Sequence, residues 1–158
     1  MVLMEGRIMK QSCVVVDVDG TLAAFDVARV EQWVLEEDKN WDDFFEFMAE
    51  AEVIAPVQRL VQILKASGEK IVICSGRPRS HQAYTEAWLT KHNIPFDGVY
   101  LRYEEDDALP DEVVKEKLLA HMRQDGFEPW LVLDDRTSVV NFWREAGLQC
   151  LQCAPGDY

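Results

Sequence analysis

The sequence has no apolar run approaching the roughly 20 residues that a membrane-spanning helix needs, which argues against a helical membrane protein. Met1 to Lys10 hold one short apolar stretch broken by Glu5 and Arg7, so the continuous apolar centre of a secretory signal is missing and a cytoplasmic location is expected. Cysteine is scarce, with four in all, and its spacing does not suit a disulfide framework. Cys13 and Cys74 lie inside apolar, strand-like runs where cysteine acts as a small hydrophobe. Cys150 and Cys153 form a lone C-x-x-C. A zinc ribbon needs a second such pair, and a thioredoxin-like motif opens a helix, whereas Leu148 to Cys153 reads as strand. Positive charge is also short: 16 Lys and Arg face 29 Asp and Glu, for a net charge of -13. Such a chain repels polyanions, which excludes an extended nucleic-acid binding surface. A phosphate-bearing substrate has to be captured by a local site.

What is present fits one soluble domain. The 158 residues are 48% hydrophobic and 28% charged, enough to bury an ordinary core and too few for a second full domain. Five segments have the composition of buried parallel strands: Cys13 to Asp17, Lys70 to Cys74, Gly98 to Leu101, Trp130 to Leu133 and Leu148 to Cys153. Helical patterns alternate with them. Pro56 to Ala66 opens on proline and stops at Ser67-Gly68; Ser80 to His92 has Ser80 as its expected N-cap; Asp111 to Met122 and Thr137 to Ala146 follow. Strand alternating with helix predicts an α/β fold with a doubly wound, five-stranded parallel sheet. One stretch breaks the alternation. Residues 22–55 are too long for a loop and carry apolar residues at helical spacing, Val27, Val30, Trp33 and Val34, then Trp41, Phe44, Phe45 and Met48. They predict a small helical cap inserted after the first strand.

In such sheets the active site lies beyond the carboxyl ends of the strands. Asp17 and Asp19 end the first, Ser75-Gly76-Arg77 the second, Arg102 the third, and Asp134-Asp135 the fourth. Aspartates one residue apart at a strand end point the same way and can share a substrate. One carboxylate can attack phosphorus while the other handles the proton of the leaving oxygen. A calcium loop would need a third Asp or Asn where Thr21 stands. Asp134-Asp135, converging with Asp17 and the Asp19 backbone carbonyl, offers the oxygen ligands that Mg²⁺ prefers, with the direct ligand of the Asp134-Asp135 pair left open.

Ser75, Gly76 and Arg77 supply donors to phosphate oxygens, although a structural ion pair is also open to Arg77. Lys115 and Lys117 compete as the remaining cation. At about 100° per residue the apolar face of the third helix centres near Val114, Leu118, Leu119 and Met122, which sets Lys115 inward and Lys117 outward. An inward ammonium is costly unless an anion waits there, so Lys115 is chosen. Arg79, Arg102 and Arg136 stay open between substrate contact and local pairing. His81, His92 and His121 fall on helices away from the strand ends.

Together and in order, from Cys13 to Tyr158, these residues resemble the haloacid dehalogenase superfamily of phosphohydrolases. Asp17-Val18-Asp19-Gly20-Thr21 looks like its Asp-x-Asp-x-Thr motif, Ser75 its second, Lys115 its third and Asp134-Asp135 its fourth. The runs Ser75-Gly76-Arg77-Pro78, Asp111-Glu112-Val113-Val114-Lys115, Asp134-Asp135-Arg136 and Gly156-Asp157-Tyr158, with Trp143-Arg144 before Gly147-Leu148, resemble the 3′-phosphatase domain of phage-type polynucleotide kinase/phosphatases. The resemblance implies a Mg²⁺-dependent phosphomonoesterase that works through an aspartyl-phosphate on Asp17 and removes a 3′-terminal phosphate from a nucleic-acid end or nucleotide. Asp19 and Lys115 are then catalytic, Asp111 supports the lysine, Arg77 contacts phosphate, and Thr21, Arg102 and Arg136 join Ser75 and Gly76 as substrate contacts. Asp17, Asp19, Asp134 and Asp135 form the metal set. No G-x-x-x-x-G-K-[ST] loop is present, so 5′-phosphorylation is expected only from a separate kinase, and a ligase is a further expected partner. The acidic stretch Glu104 to Leu109 and a cap longer than the phage enzyme's depart from the pattern. They keep two alternatives in play, a general nucleotidase or small-metabolite phosphatase, and a non-catalytic phosphate-binding module.

Overall fold

Strand β3 (Gln11–Val16) shows why this chain builds a sheet covered on both faces. Its side chains alternate between two separate cores: Val14 and Val16 pack with Ile71, Ile73, Trp88 and Leu89, whereas Cys13 and Val15 pack with Val72, Val114, Val132 and Trp143. An apolar residue is needed at every position, which is the continuous run seen in the sequence. The computed structural model describes residues 10–26 and 41–158, together with the backbone of residues 3–4 and 7–8. Those last four form a two-residue antiparallel pair, β1 (Leu3–Met4) and β2 (Arg7–Ile8).

The main sheet is five-stranded and parallel, in the order β5-β4-β3-β6-β7, with β4 at Lys70–Pro78, β5 at Gly98–Arg102, β6 at Phe127–Asp134 and β7 at Cys150–Gln152. Helices α1 (Trp41–Met48), α2 (Ala55–Ala66) and α3 (Gln82–Lys91) supply the first core; α4 (Asp111–Gln124) and α5 (Thr137–Glu145) supply the second. The sheet is doubly wound, as the alternation predicts. No helix among the described residues is long and apolar enough to cross a membrane.

Several boundaries differ from the sequence reading. β4 continues through Ser75 to Pro78, and after an irregularity Pro78 pairs with Arg102. The chain then makes a short 3-10 turn, Arg79–His81, before α3 begins, so His81 rather than Ser80 occupies the cap position and Ser80 Oγ bonds His81 Nδ1 instead (2.8 Å). β6 starts at Phe127, three residues before Trp130, because a bulge lets Pro129 pair with Cys13 and Leu131 with Val14. β7 starts only at Cys150. Leu148 closes the preceding helix by donating its N–H to the Trp143 carbonyl (3.0 Å), after Gly147 has turned the backbone at φ +85°.

The inserted segment is stitched at its neck. Ala24 N–H donates to the Glu52 carbonyl (2.8 Å) and Ile54 N–H to the Leu22 carbonyl (2.7 Å), so the outgoing and returning strands lie side by side. Of the apolar residues that predict a cap, Val27, Val30, Trp33 and Val34 lie outside the described residues. Phe44, Phe45 and Met48 of α1 are buried against the body.

Asp97, just before β5, ties three elements: its carboxylate accepts from Lys65 Nζ at the end of α2 (2.7 Å) and from the Ile71 amide (2.9 Å), and its own amide donates to the Ile71 carbonyl (2.7 Å). Burial alone would raise this carboxyl, but the bonds from Lys65 and Ile71 hold it below the ordinary carboxylate value. A depressed acid contributes stability above its unfolded value, about 3.9, and loses it as the pH falls through the folded one. Asp97→Asn is therefore expected to lower stability at pH 7 by about 1 kcal/mol and to shrink that difference below about pH 4. Denaturant unfolding of both proteins at pH 7 and pH 3 checks this; equal stability at pH 7 would contradict it.

Candidate active site

Four strand ends meet at one cavity of about 130 Å³. Asp17 directly follows β3, and its amide donates to the Leu133 carbonyl (3.0 Å), which fixes it beside the end of β6. The chain then turns sharply at Gly20, φ +86°, where a Cβ would overlap the Asp135 carboxylate. Glycine is required there both for the backbone conformation and for the approach.

Lys115, in the second turn of α4, is 2% exposed and makes three bonds: to Asp17 Oδ1 (3.0 Å), Asp134 Oδ2 (3.2 Å) and the Cys74 carbonyl (2.7 Å). Lys117 points away and pairs with Asp106 (2.6 Å). Burial alone would lower the Lys115 ammonium, but Asp134 and Asp17 push it well above its ordinary value. The ion stays charged.

Ligand oxygens of Asp17, Asp134 and Asp135 lie within 4.8 Å of one another. Each has a partner that fixes it. Asp134 accepts from the Trp143 indole N–H (3.1 Å) and the Asp135 amide (2.8 Å), Asp135 from the Tyr158 hydroxyl (2.6 Å), and the buried Thr21 hydroxyl lies 3.3 Å from both Asp17 and Asp135. Burial, with the Asp134 charge next, raises the Asp17 carboxyl well above the ordinary range. Burial also raises Asp135, against the lowering effect of the Tyr158 bond. Three carboxylates facing one ammonium leave two negative charges when all are ionised. A divalent cation with hard oxygen preference fits that imbalance and donor set. The Asp19 side chain stands outside this cluster.

Asp19 instead receives a two-pronged bond from Arg77, Nε to Oδ2 at 2.8 Å and Nη2 to Oδ1 at 2.6 Å. Arg77 is 3% exposed, donates also to Thr85 (3.2 Å), and lies over the rings of Phe44 and Phe45 at 5.7 and 5.3 Å. Ser75 Oγ accepts from the Arg77 amide (3.1 Å). Gly76 passes so close to Asp111 that a Cβ would stand 2.8 Å from Oδ1. Asp111, opening α4, bridges two arginines, Arg102 and Arg136, the latter at 2.6 Å. Burial would raise Asp111, but Arg136 and Arg102 outweigh it and hold the carboxyl low. Arg102 is further held by the carbonyls of Gly76, Asp106 and Leu109.

All the sequence candidates except Thr21 and Arg79 line the cavity; the Thr21 hydroxyl reaches the carboxylates of Asp17 and Asp135, and Arg79 lies over the Tyr103 ring at 4.5 Å. None of the three histidines lines the cavity. Sequence reasoning assigned no chemical contact to Trp143 or Tyr158. For Trp143 a signal existed: it lies four residues from Val139 on the inward face of α5, and a buried indole N–H needs an acceptor. Tyr158 and Thr85 act through tertiary contacts that no local periodicity announces.

A cation that fills this cluster stabilises the folded protein by mass action, about 2.7 kcal/mol at a hundredfold excess over its Kd. Thermal unfolding with and without millimolar divalent cation is expected to show a rise in Tm in the native protein and little or none in Asp135→Ala. An unchanged Tm in the native protein would contradict the fit.

A family model for the polynucleotide kinase PNKP phosphatase domain matches residues 11–158. A chain in the structure of a Pnkp1/Rnl/Hen1 complex is 27% identical at a TM-score of 0.77, over 94% of this chain and 47% of that one. The protein thus spans about half the length of that relative. The class C acid phosphatase from Bacillus anthracis with tungstate bound (16% identity, TM-score 0.67, 94% of this chain and 68% of that one) shares the fold. So does a haloacid dehalogenase-like family protein from Streptococcus pneumoniae (16%, 0.57, 90% and 84%). With strand order, cavity and family match in agreement, the chain belongs to the PNKP phosphatase-domain family of haloacid dehalogenase-type phosphatases.

Proposed function

We propose that this protein is a Mg²⁺-dependent phosphomonoesterase that removes a 3′-terminal phosphate from a nucleic-acid end or nucleotide through an aspartyl-phosphate on Asp17. The observation that carries it is the Asp17 carboxylate at the cavity floor, bonded to the buried Lys115 ammonium beside Asp134 and Asp135, in a chain of this family. Asp17, Asp134, Asp135 and the Asp19 carbonyl would hold the ion, which when bound would offset the charge of the incoming phosphate.

The remaining work belongs to the chain's own groups. Asp17 attacks phosphorus, the ester bond breaks, and the departing 3′ oxygen takes a proton from Asp19. Asp19 then accepts a proton from water, whose oxygen attacks the aspartyl-phosphate and releases inorganic phosphate and the free Asp17 carboxylate. Ser75, Gly76 and Lys115 donate to the phosphate oxygens, while Asp111 orients Arg102 and Arg136. Arg77 reaches both partners of the exchange. An arriving phosphate competes with Asp19 for its guanidinium and frees the Asp19 carboxylate, which takes up a proton from solvent before passing it to the leaving oxygen. The segment of residues 22–55 serves as a cap on this single domain, a reading supported by its stitched neck and by Trp41 and Phe44 at the cavity.

A separate kinase or ligase completes the repair of an end. Support comes from the similar chains in Pnkp1/Rnl/Hen1 assemblies, one of them described as an RNA repair complex. Four free cysteines favour a reducing compartment such as the cytoplasm. A second reading, a nucleotidase for small substrates, is favoured by the net charge of -13.

Rates on a 3′-phosphorylated oligonucleotide, a nucleoside 3′-monophosphate and its 5′ isomer separate the two. Both 3′ substrates are expected to release phosphate with Mg²⁺ and the 5′ isomer to be poor. Fast turnover of the 5′ isomer with none of the oligonucleotide would sink the 3′-end assignment. Asp17→Asn is expected to lose turnover by at least about a thousandfold with its circular dichroism unchanged. Retained activity would refute the covalent route.

A further inference from the structure

The cavity changes character between floor and rim. Its floor is polar, made by Asp17, Ser75, Lys115, Asp134 and Asp135, whereas its rim is aromatic, made by Phe25, Trp41 and Tyr158. The neighbouring Phe44 and Phe45 are 2% exposed and packed edge to face at 5.1 Å, and the Trp41 ring rests on both, at 5.5 and 6.2 Å. Phe25 and Trp41 are only half-buried, and Tyr158 is 37% exposed. Phe25 and Tyr158 lean together at 5.8 Å with 37° between their planes, and the Arg136 guanidinium lies over the Tyr158 ring at 5.2 Å.

The buried charges at the floor suit a phosphate group, and the aromatic rings that line the same cavity do not. The rest of a substrate has to lie at the rim. We infer that Phe25 and Trp41 are specificity-determining residues that stack the nucleobase of the nucleotide carrying the phosphate, with Tyr158 and Arg136 closing the side of that platform. The inference rests on the 3′-phosphatase reading and adds to it how the substrate is chosen. Aromatic faces flanked by a guanidinium suit a planar heteroaromatic base and tolerate any of the four.

The competing substrates fit less well. A plain sugar phosphate would set hydroxyls against rings, and Arg136 is already held by Asp111 and the Tyr158 carbonyl. A phosphotyrosine carries its ring directly on the ester oxygen, where it would meet the polar floor. In a nucleoside 3′-phosphate the ribose separates base from phosphate, so the base can meet the rings while the phosphate meets the polar groups. Stacking of one terminal base also lets a chain of net charge -13 recognise a nucleic-acid end without following its backbone.

The test compares kcat/KM on two 3′-phosphorylated oligonucleotides identical except that the terminal nucleotide carries a base or is abasic. In the native protein the base is expected to improve kcat/KM about tenfold or more, mainly through KM. In Phe25→Leu and Trp41→Leu that ratio is expected to fall toward one. Rings that only support the fold would lower both substrates together and leave the ratio intact, which would overturn the inference. So would a native protein that turns over both oligonucleotides equally, or one that hydrolyses a phosphotyrosine peptide faster than either. Phosphate release from glycerol phosphate with none from the two oligonucleotides would instead overturn the 3′-phosphatase reading itself, and the stacking with it.

Discussion

Lys115 is the constraint around which the other groups are arranged. An ammonium taken almost wholly out of water is expensive, and here it is held by two carboxylates and a backbone carbonyl, Asp17, Asp134 and Cys74. Those three acceptors belong to three adjacent strands, Asp17 just after β3, Asp134 at the end of β6 and Cys74 within β4, so the bonds form only when the sheet order is correct and α4 is docked. The lysine thereby couples the register of the core to the geometry of the site. Because only one ammonium faces three carboxylates, the cluster, when all three are ionised, keeps an excess of negative charge that a divalent cation would offset.

A second ring of charges surrounds the first, and in it each arginine is tied to an aspartate. Arg77 holds Asp19, while Arg102 and Arg136 share Asp111. The arrangement keeps three guanidinium groups in place around a cavity in a protein whose net charge is strongly negative. If phosphate binds as proposed, it meets donors already held in place, exchanges partners with them, and requires little side-chain ordering. Asp19 gains most from this exchange, since it is both the present partner of Arg77 and the proposed proton carrier.

Much of the arrangement was legible in the sequence because it is written in short periods. Unbroken apolar runs marked β3 and β4 as strands covered on both faces, and helix geometry alone separated Lys115 from Lys117. Asp17, Asp134 and Asp135 stood out as polar residues ending apolar strands. What escaped depends on tertiary contact or on irregular backbone. The bulge at Trp130 hid the first three residues of β6, and the cap formed by Gly147 and Leu148 shortened β7. Periodicity could not show that Tyr158 would return to Asp135, or that Thr85 would anchor Arg77. Whether Arg77 served a phosphate or an ion pair was open from sequence; the structure shows its bond to Asp19.

The central claim is that Asp17 becomes transiently phosphorylated. The most direct measurement is rapid acid quenching of the native protein during turnover of a 3′-phosphorylated oligonucleotide with Mg²⁺, followed by peptide mass spectrometry. The account requires one phosphate on the peptide containing Asp17, removed by hydroxylamine and fading as substrate is exhausted. Steady release of phosphate with no phosphorylated peptide at any quench time, or with the phosphate on another residue, would contradict it.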